Sequence, residues 1–132
     1  MANQARCSAM LILTGSWQNV LGCSLNVPNA GTYLVTATFD MHANADGSTG
    51  DDNYYLIGGL SVQSGVPVPG NALFLTNATG GPGGGQSRAT VKQQWMLGLN
   101  ANDNIKLQAY KSGGSGQSRV RETHTELSWV QV

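Results

Sequence analysis

The chain has 132 residues, its seven Lys/Arg cancel its seven Asp/Glu, and only 11% of residues are charged, under half the share of an average soluble protein. Such a chain cannot draw on counterion release, which argues against a dedicated nucleic-acid binder, and it has no polybasic segment for an anionic membrane surface. Forty per cent of residues are apolar and fall in alternating runs, enough for one core, which sets disorder aside and leaves no room for a second domain.

Met1 to Arg6 lacks the charged start and apolar run of a secretory signal. No stretch approaches the ~18 apolar residues needed to span a bilayer. The expectation is therefore a protein that is soluble or part of a particle. Cys7 and Cys23 are too few for a disulfide framework or a zinc cluster. They read as small core residues, with a Cys7–Cys23 bridge as the lesser alternative.

Period-two alternation recurs along the chain and helical periodicity is absent. The run Cys7 to Thr14 sets Cys7, Ala9, Leu11 and Leu13 against Ser8, Met10, Ile12 and Thr14. Leu25 to Val27 is a short run ended by Pro28, with a turn at Asn29-Ala30-Gly31. Thr32 to Met41 is the clearest strand. It predicts Tyr33, Val35, Ala37, Phe39 and Met41 inward, with Leu34, Thr36, Thr38 and Asp40 on the other face.

Tyr54 to Gln63 carries Gly58-Gly59 at its middle, a pair that marks a bulge or a close backbone approach. Ala72 to Thr76 is a shorter run, and Gly80 to Gly85 is a loop. Arg88 to Leu99 opposes Ala89, Val91, Gln93, Trp95, Leu97 and Leu99 to Thr90, Lys92, Gln94 and Met96. Ile105, Leu107 and Ala109 make a further strand, Gly113 to Gly116 a turn, and Arg119 to Val132 the last strand, with Leu127 and Trp129 at its core end.

About eight to nine antiparallel strands in one domain predict an all-β sandwich of Greek-key or jelly-roll form. Apolar residues are left over on second faces at Met10, Ile12, Leu34, Met96 and Tyr110. They call for a partner surface, which self-association would supply.

Three segments carry a family resemblance. Val27-Pro28-Asn29-Ala30-Gly31-Thr32-Tyr33-Leu34-Val35 resembles the proline-turn-glycine-strand signature of C1q/TNF-like jelly rolls. Leu97 to Leu107 resembles the family's "L-x-x-G-D-x-V-x-L" turn, with Asn102 in the glycine position, a substitution that asparagine's tolerance of positive φ permits. Thr125 to Val132 resembles the closing strand, with Trp129 near its end. The three stand in family order across nearly the whole chain. The resemblance implies the jelly-roll fold and a compact trimer, with Met10, Ile12, Leu34, Met96 and Tyr110 as candidate interface residues. The collagen-like stem and secretory leader usual in C1q-type proteins are missing from the sequence, so complement or cytokine function does not follow. A neutral, stemless jelly roll resembles instead the trimeric decoration (cement) proteins of tailed-phage capsids.

Motifs for chemistry are sparse. GxSxG, HExxH and P-loop patterns do not occur, and Asp40 beside His42 has no accompanying nucleophile. His124 alternates with Glu122 and Glu126 on the last strand, a stripe that reads either as an ion site or as a solvated edge. Asp46, Asp51 and Asp52, on a loop with Gly, Ser and Thr, suit a hard cation such as Ca²⁺ without matching an EF-hand. The other reading is an exposed polar loop, and no metal or cofactor is assigned. Arg88, Arg119 and Arg121 are available for acidic groups on a partner, or are solvated.

The expectation is thus a flexible N-terminal arm over residues 1–6 ahead of a single jelly-roll domain over 7–132. The expected function is non-enzymatic: a homotrimeric decoration protein on the outer surface of a virion's capsid, bound to the major capsid protein, without cofactor, nucleic acid or membrane. Candidate shell contacts are Met1, Ala2, Asn3, Gln4, Ala5 and Arg6 in the arm and Gly83 and Gly84 in the glycine loop. The alternative is a receptor- or carbohydrate-binding tip of a phage tail fibre, with Tyr54, Tyr55, Trp17 or Trp95 stacking on sugars.

Overall fold

The computed structural model describes residues 2–44, 54–75, 86–112 and 117–132. Alternation in the sequence becomes nine strands among them: β1 (Gln4–Arg6), β2 (Leu11–Ile12), β3 (Gln18–Asn26), β4 (Gly31–Asn44), β5 (Tyr54–Val62), β6 (Val68–Leu75), β7 (Gln86–Leu99), β8 (Asn104–Ser112) and β9 (Arg119–Gln131). No helix among the described residues is long and apolar enough to cross a membrane.

The strands form two antiparallel sheets. Sheet A has the order β1-β9-β4-β7, with β2 also paired to β9, and sheet B the order β3-β8-β5-β6. The pairs nest, β1 with β9, β3 with β8, β4 with β7 and β5 with β6, as though one long ribbon had been folded back and rolled. That is the jelly-roll wrap, and it closes the core between two sheets.

Inward positions follow the alternation. Tyr33, Val35, Ala37, Phe39 and Met41 of β4 are buried, as are Leu56 and Leu60 of β5 and Ile105, Leu107 and Ala109 of β8. Gly58-Gly59 shows both effects expected of paired glycines. The β5–β6 register shifts between Ile57 and Gly59, and a Cβ on Gly58 would sit 2.6 Å from the Phe39 ring. Gly59 opens the opposite face, where Trp17 lies against it.

The three resembling segments converge in space. Asn102 adopts φ 68°, the left-handed conformation its position demands, and its N–H donates to Val27 O at 2.8 Å while Val27 N–H donates to Asp103 O at 3.0 Å. The Tyr33 hydroxyl donates to Asn29 O at 2.7 Å, and the Tyr33 ring meets Trp129 of β9 edge-on.

The structure departs from the sequence reading in four places. First, the arm is docked where it is described: Gln4, Ala5 and Arg6 pair with Ser128, Leu127 and Glu126, because β9 would otherwise present an open edge. Second, the run Cys7 to Thr14 is not one continuous strand: only Leu11–Ile12 of it pairs, as β2. Cys7 N–H donates to Thr125 O of sheet A and Ser8 N–H to Leu21 O of sheet B, so this segment closes the side of the sandwich. Gly22 (φ 86°) permits the crossing, since a Cβ there would strike the backbone of Arg6 and Ser8. Third, β3 starts at Gln18 rather than near Leu25, its alternation hidden by Gly22 and by a register shift between Asn19 and Ser24.

Fourth, β9 is not one straight strand. Thr38 faces Glu126 but Asp40 faces Arg121, so Phe39 alone is opposed by the four residues Glu122 to Thr125. The bulge flips the parity of the strand: Val120 is buried before it, and Thr125 and Leu127 after it. Glu122, His124 and Glu126 therefore do not form the single-face stripe that simple alternation predicts. Cys7 and Cys23 are both free and buried, in line with the core reading.

Candidate binding face

β4 lies centrally in sheet A, between β7 and β9, so its outward residues define rows across the sheet. Directly opposed residues in a ladder share a face. At one end Met96, Leu34 and Val130 form a row. Next come Gln94, Thr36, Ser128 and Gln4, then Lys92, Thr38, Glu126 and Arg6. The fourth row is Thr90, Asp40 and Arg121, and the fifth is Arg88, His42, Arg119 and Ile12. His42 lies eight positions beyond Leu34, about 26 Å along an extended strand.

The two ends differ in chemistry. At the first, Met96 is 61% exposed and Val130 57%, on either side of Leu34. At the other end Asp40 is buried and is held by one edge of a guanidinium: Arg88 Nε donates to Oδ1 at 3.0 Å and Nη2 to Oδ2 at 2.8 Å. Asp40 holds the Arg88 pKa above its ordinary value, chiefly through those hydrogen bonds and then through charge. Its backbone N–H donates to Thr125 Oγ1 at 2.9 Å, and that hydroxyl donates to Arg121 O at 2.6 Å, tying the β9 bulge to β4. Arg119 reaches Met10 Sδ at 3.8 Å through Nη1.

Beside the bulge is a pocket of about 300 Å³ lined by Arg6, Thr38, Thr90, Thr123, His124, Thr125 and Glu126. Four threonines give it hydroxyl walls, and Arg6 Nε lies 3.6 Å from Glu126 Oε2 at its rim. Simple alternation missed it because the pocket exists only where β9 departs from its register.

The structure separates the five candidate interface residues. Leu34 and Met96 are neighbours at the apolar end of sheet A. Met10 and Ile12 lie at the arginine end, through the Met10–Arg119 contact and the Ile12–Arg119 pairing. Tyr110 belongs to sheet B, where Trp17 meets it at a ring-centroid distance of 4.5 Å. Val130 was missed at the apolar end, since only the register places it beside Leu34.

Of the residues assigned to the capsid, Ala2, Asn3 and Gln4 are exposed, and Asn3 to Arg6 run along β9's edge. Met1, Gly83 and Gly84 lie outside the described residues, as do Asp46, Asp51 and Asp52. Among the described residues no three of His, Cys, Asp and Glu come together as metal ligands. Of the aromatic residues expected to stack on sugars, Trp95 is buried, Trp17 is packed on Gly59 and Tyr110 and Tyr55 is exposed, while the side chain of Tyr54 lies outside those described.

Fold and face together define an all-β jelly-roll protein of TNF-like form. No known protein family matches the chain by sequence, and no curated protein matches it. Among solved structures it is similar to Eiger TNF from S. frugiperda, with a TM-score of 0.59 and 10% identity over 98% of this chain and 90% of that one. The likeness is one of fold.

Proposed function

We propose that the chain is an assembly protein, a jelly roll that associates with copies of itself into a trimer and, as a trimer, decorates the outer surface of a viral shell. The observation that carries the reading is the row Met96–Leu34–Val130, an all-apolar strip exposed at one end of a sheet whose other rows are polar apart from Ile12. Exposed apolar residues arranged together rather than singly mark contact surfaces. The chain's net charge of zero supports close packing of copies, because nearly neutral faces meet without mutual repulsion. The resemblance of the three segments to trimeric jelly rolls supports the stoichiometry, and the role on a shell is the use to which such a neutral trimer is best suited.

The mechanism is clamping. Each copy buries its apolar row against a neighbour, and the assembled trimer bridges adjacent shell subunits, adding buried surface that resists pressure from within. Light scattering tests the first step: a trimer at micromolar concentration is expected, and a monomer overturns the reading. Met96→Glu combined with Val130→Glu is expected to give a folded monomer. Co-sedimentation with mature shells tests the second step, and a trimer that fails to bind them overturns the decoration role while leaving self-assembly in place.

A further inference from the structure

The arginine end of sheet A points to a second capability, separate from the apolar end. Arg88, Arg119 and Arg121 occupy neighbouring positions in the last two rows, around His42 and Asp40. Asp40 pairs with Arg88, and among the described residues neither Arg119 nor Arg121 has an ion-pair partner. Three arginines thus share two neighbouring rows with one carboxylate, in a chain with only seven basic residues and no net charge. The Nε–H groups of Arg119 and Arg121 are, moreover, buried and without an acceptor. A buried N–H donor left without an acceptor carries a desolvation cost, which an arriving acceptor offsets.

The spacing suits a single small ligand. Arg88 on β7 and Arg119 on β9 flank His42 at two strand spacings, about 10 Å, and Arg121 stands two residues from Arg119, about 7 Å along β9. Side chains of this length can turn their planar forks onto one group, and the fork matches the oxygens of a sulfate, phosphate or carboxylate. Asp40 fixes Arg88 through Nε and Nη2, which orients that guanidinium in advance. One row away, beside Arg121, lies the threonine-walled pocket. It offers hydroxyl partners to a ligand that is itself rich in hydroxyls, and its volume sits at the lower end of those seen for small-molecule sites.

We propose that Arg88, Arg119 and Arg121 bind the oxyanion of an anionic saccharide, a sulfated or uronic sugar whose hydroxyl-bearing ring enters the pocket lined by Thr38, Thr90 and Thr123. The site lies about 26 Å along the sheet from the apolar row and does not rest on the assembly reading.

The test follows the arginine Nε–Hε signals of the full chain by nuclear magnetic resonance. Titrants are sodium sulfate, galactose 6-sulfate, glucuronate and neutral galactose, against sodium chloride at matched ionic strength. Arg119→Lys and Arg121→Lys each remove one signal while keeping the charge, which assigns the resonances. Sulfate and the acidic sugars are expected to shift the Arg119 and Arg121 signals where chloride does not, with the acidic sugars binding several-fold tighter than sulfate. Arg119→Gln with Arg121→Gln is expected to weaken binding about tenfold or more. Equal affinity for sulfate and sulfated sugar retains the oxyanion site and assigns it to the free ion. Shifts no larger than with chloride, or as large with neutral galactose as with the acidic sugars, overturn the proposal. Because the signals are read on the wild-type chain, the outcome does not depend on any variant folding.

Discussion

Arg88 grips the buried carboxylate of Asp40 with two hydrogen bonds, of 3.0 and 2.8 Å, across the β7–β4 ladder. The two residues are not directly opposed: Asp40 faces Thr90, and Arg88 faces His42. The diagonal is needed because Asp40 lies on the outward face of sheet A yet is buried, and a carboxylate without water needs a cation within reach. Arg88→Ala is expected to lower the melting temperature clearly, Arg88→Lys less, since lysine keeps the charge but loses the two-point grip. Thermal unfolding followed by circular dichroism ranks the two, and equal melting temperatures would contradict the role given to the fork geometry.

Tyr33 and Trp129 join the first resembling segment to the last, with ring centroids 5.3 Å apart at 84°. Tyr33→Phe keeps the ring contact and removes the hydroxyl bond to Asn29 O, an expected cost of about 1 kcal/mol. Trp129→Ala removes the contact itself. It is expected to cost about 3 kcal/mol, the low end for aromatic truncation because Trp129 is only half-buried. Urea titration resolves the two magnitudes.

Backbone geometry makes Asn102 and Gly58 a contrasting pair. Asn102 holds a left-handed φ of 68°, so Asn102→Gly is expected to change stability by under ~0.5 kcal/mol and Asn102→Val to destabilise by ~1–2 kcal/mol. Gly58 is excluded from substitution by contact rather than by φ. The Phe39 ring fills the space a methyl would take, and Gly58→Ala is expected to cost ~1–3 kcal/mol through overpacking. The double variant Gly58→Ala with Phe39→Leu is expected to recover part of that loss.

Burial pushes the Cys23 thiol up to about 12 from its ordinary value of 9.0, with the neighbouring Cys7 and Glu126 charges adding to the effect. Cys7 is raised in the same direction, again mainly by burial. Between pH 9 and about 12 the unfolded chain releases the Cys23 proton while the folded chain keeps it, so this group makes folding less favourable as pH rises through that window. Well below pH 9 the thiol is protonated in both states and has no such effect. Cys23→Ala is expected to flatten the alkaline fall in stability relative to the unaltered protein. Alkylation of Cys23 at neutral pH is expected to be slow in the folded state and fast once urea unfolds it.

Much of the architecture could be read before any coordinates, because in a two-layer sandwich the inward residues of a strand must alternate. Tyr33 to Met41 and Ile105 to Ala109 declare their buried face in this way, and the Gly58-Gly59 pair announces its bulge. The elements that escaped notice are those where alternation fails for a tertiary reason. Cys7 to Thr14 looks like one strand in sequence, yet only Leu11–Ile12 pairs as β2, because Cys7 and Ser8 bond one to each sheet and close the side of the sandwich. β3 is obscured at Gly22, a glycine required by the crossing of Arg6 to Ser8 rather than by its own strand.

The sequence by itself determined the class of fold, the single core, the neutral surface and the left-handed turn at Asn102, since each depends on local residue type or on a period of two. The binding face was decided only by the tertiary structure. Met96, Leu34 and Val130 become one row, and Arg88, Arg119 and Arg121 one cluster, through pairings between strands distant in the chain, whose register no local pattern encodes. The pocket beside them owes its existence to the bulge opposite Phe39, where four residues of β9 answer one residue of β4. An insertion of that kind leaves the residue types unchanged and alters only which face each one occupies, and that is settled by packing against the neighbouring strand.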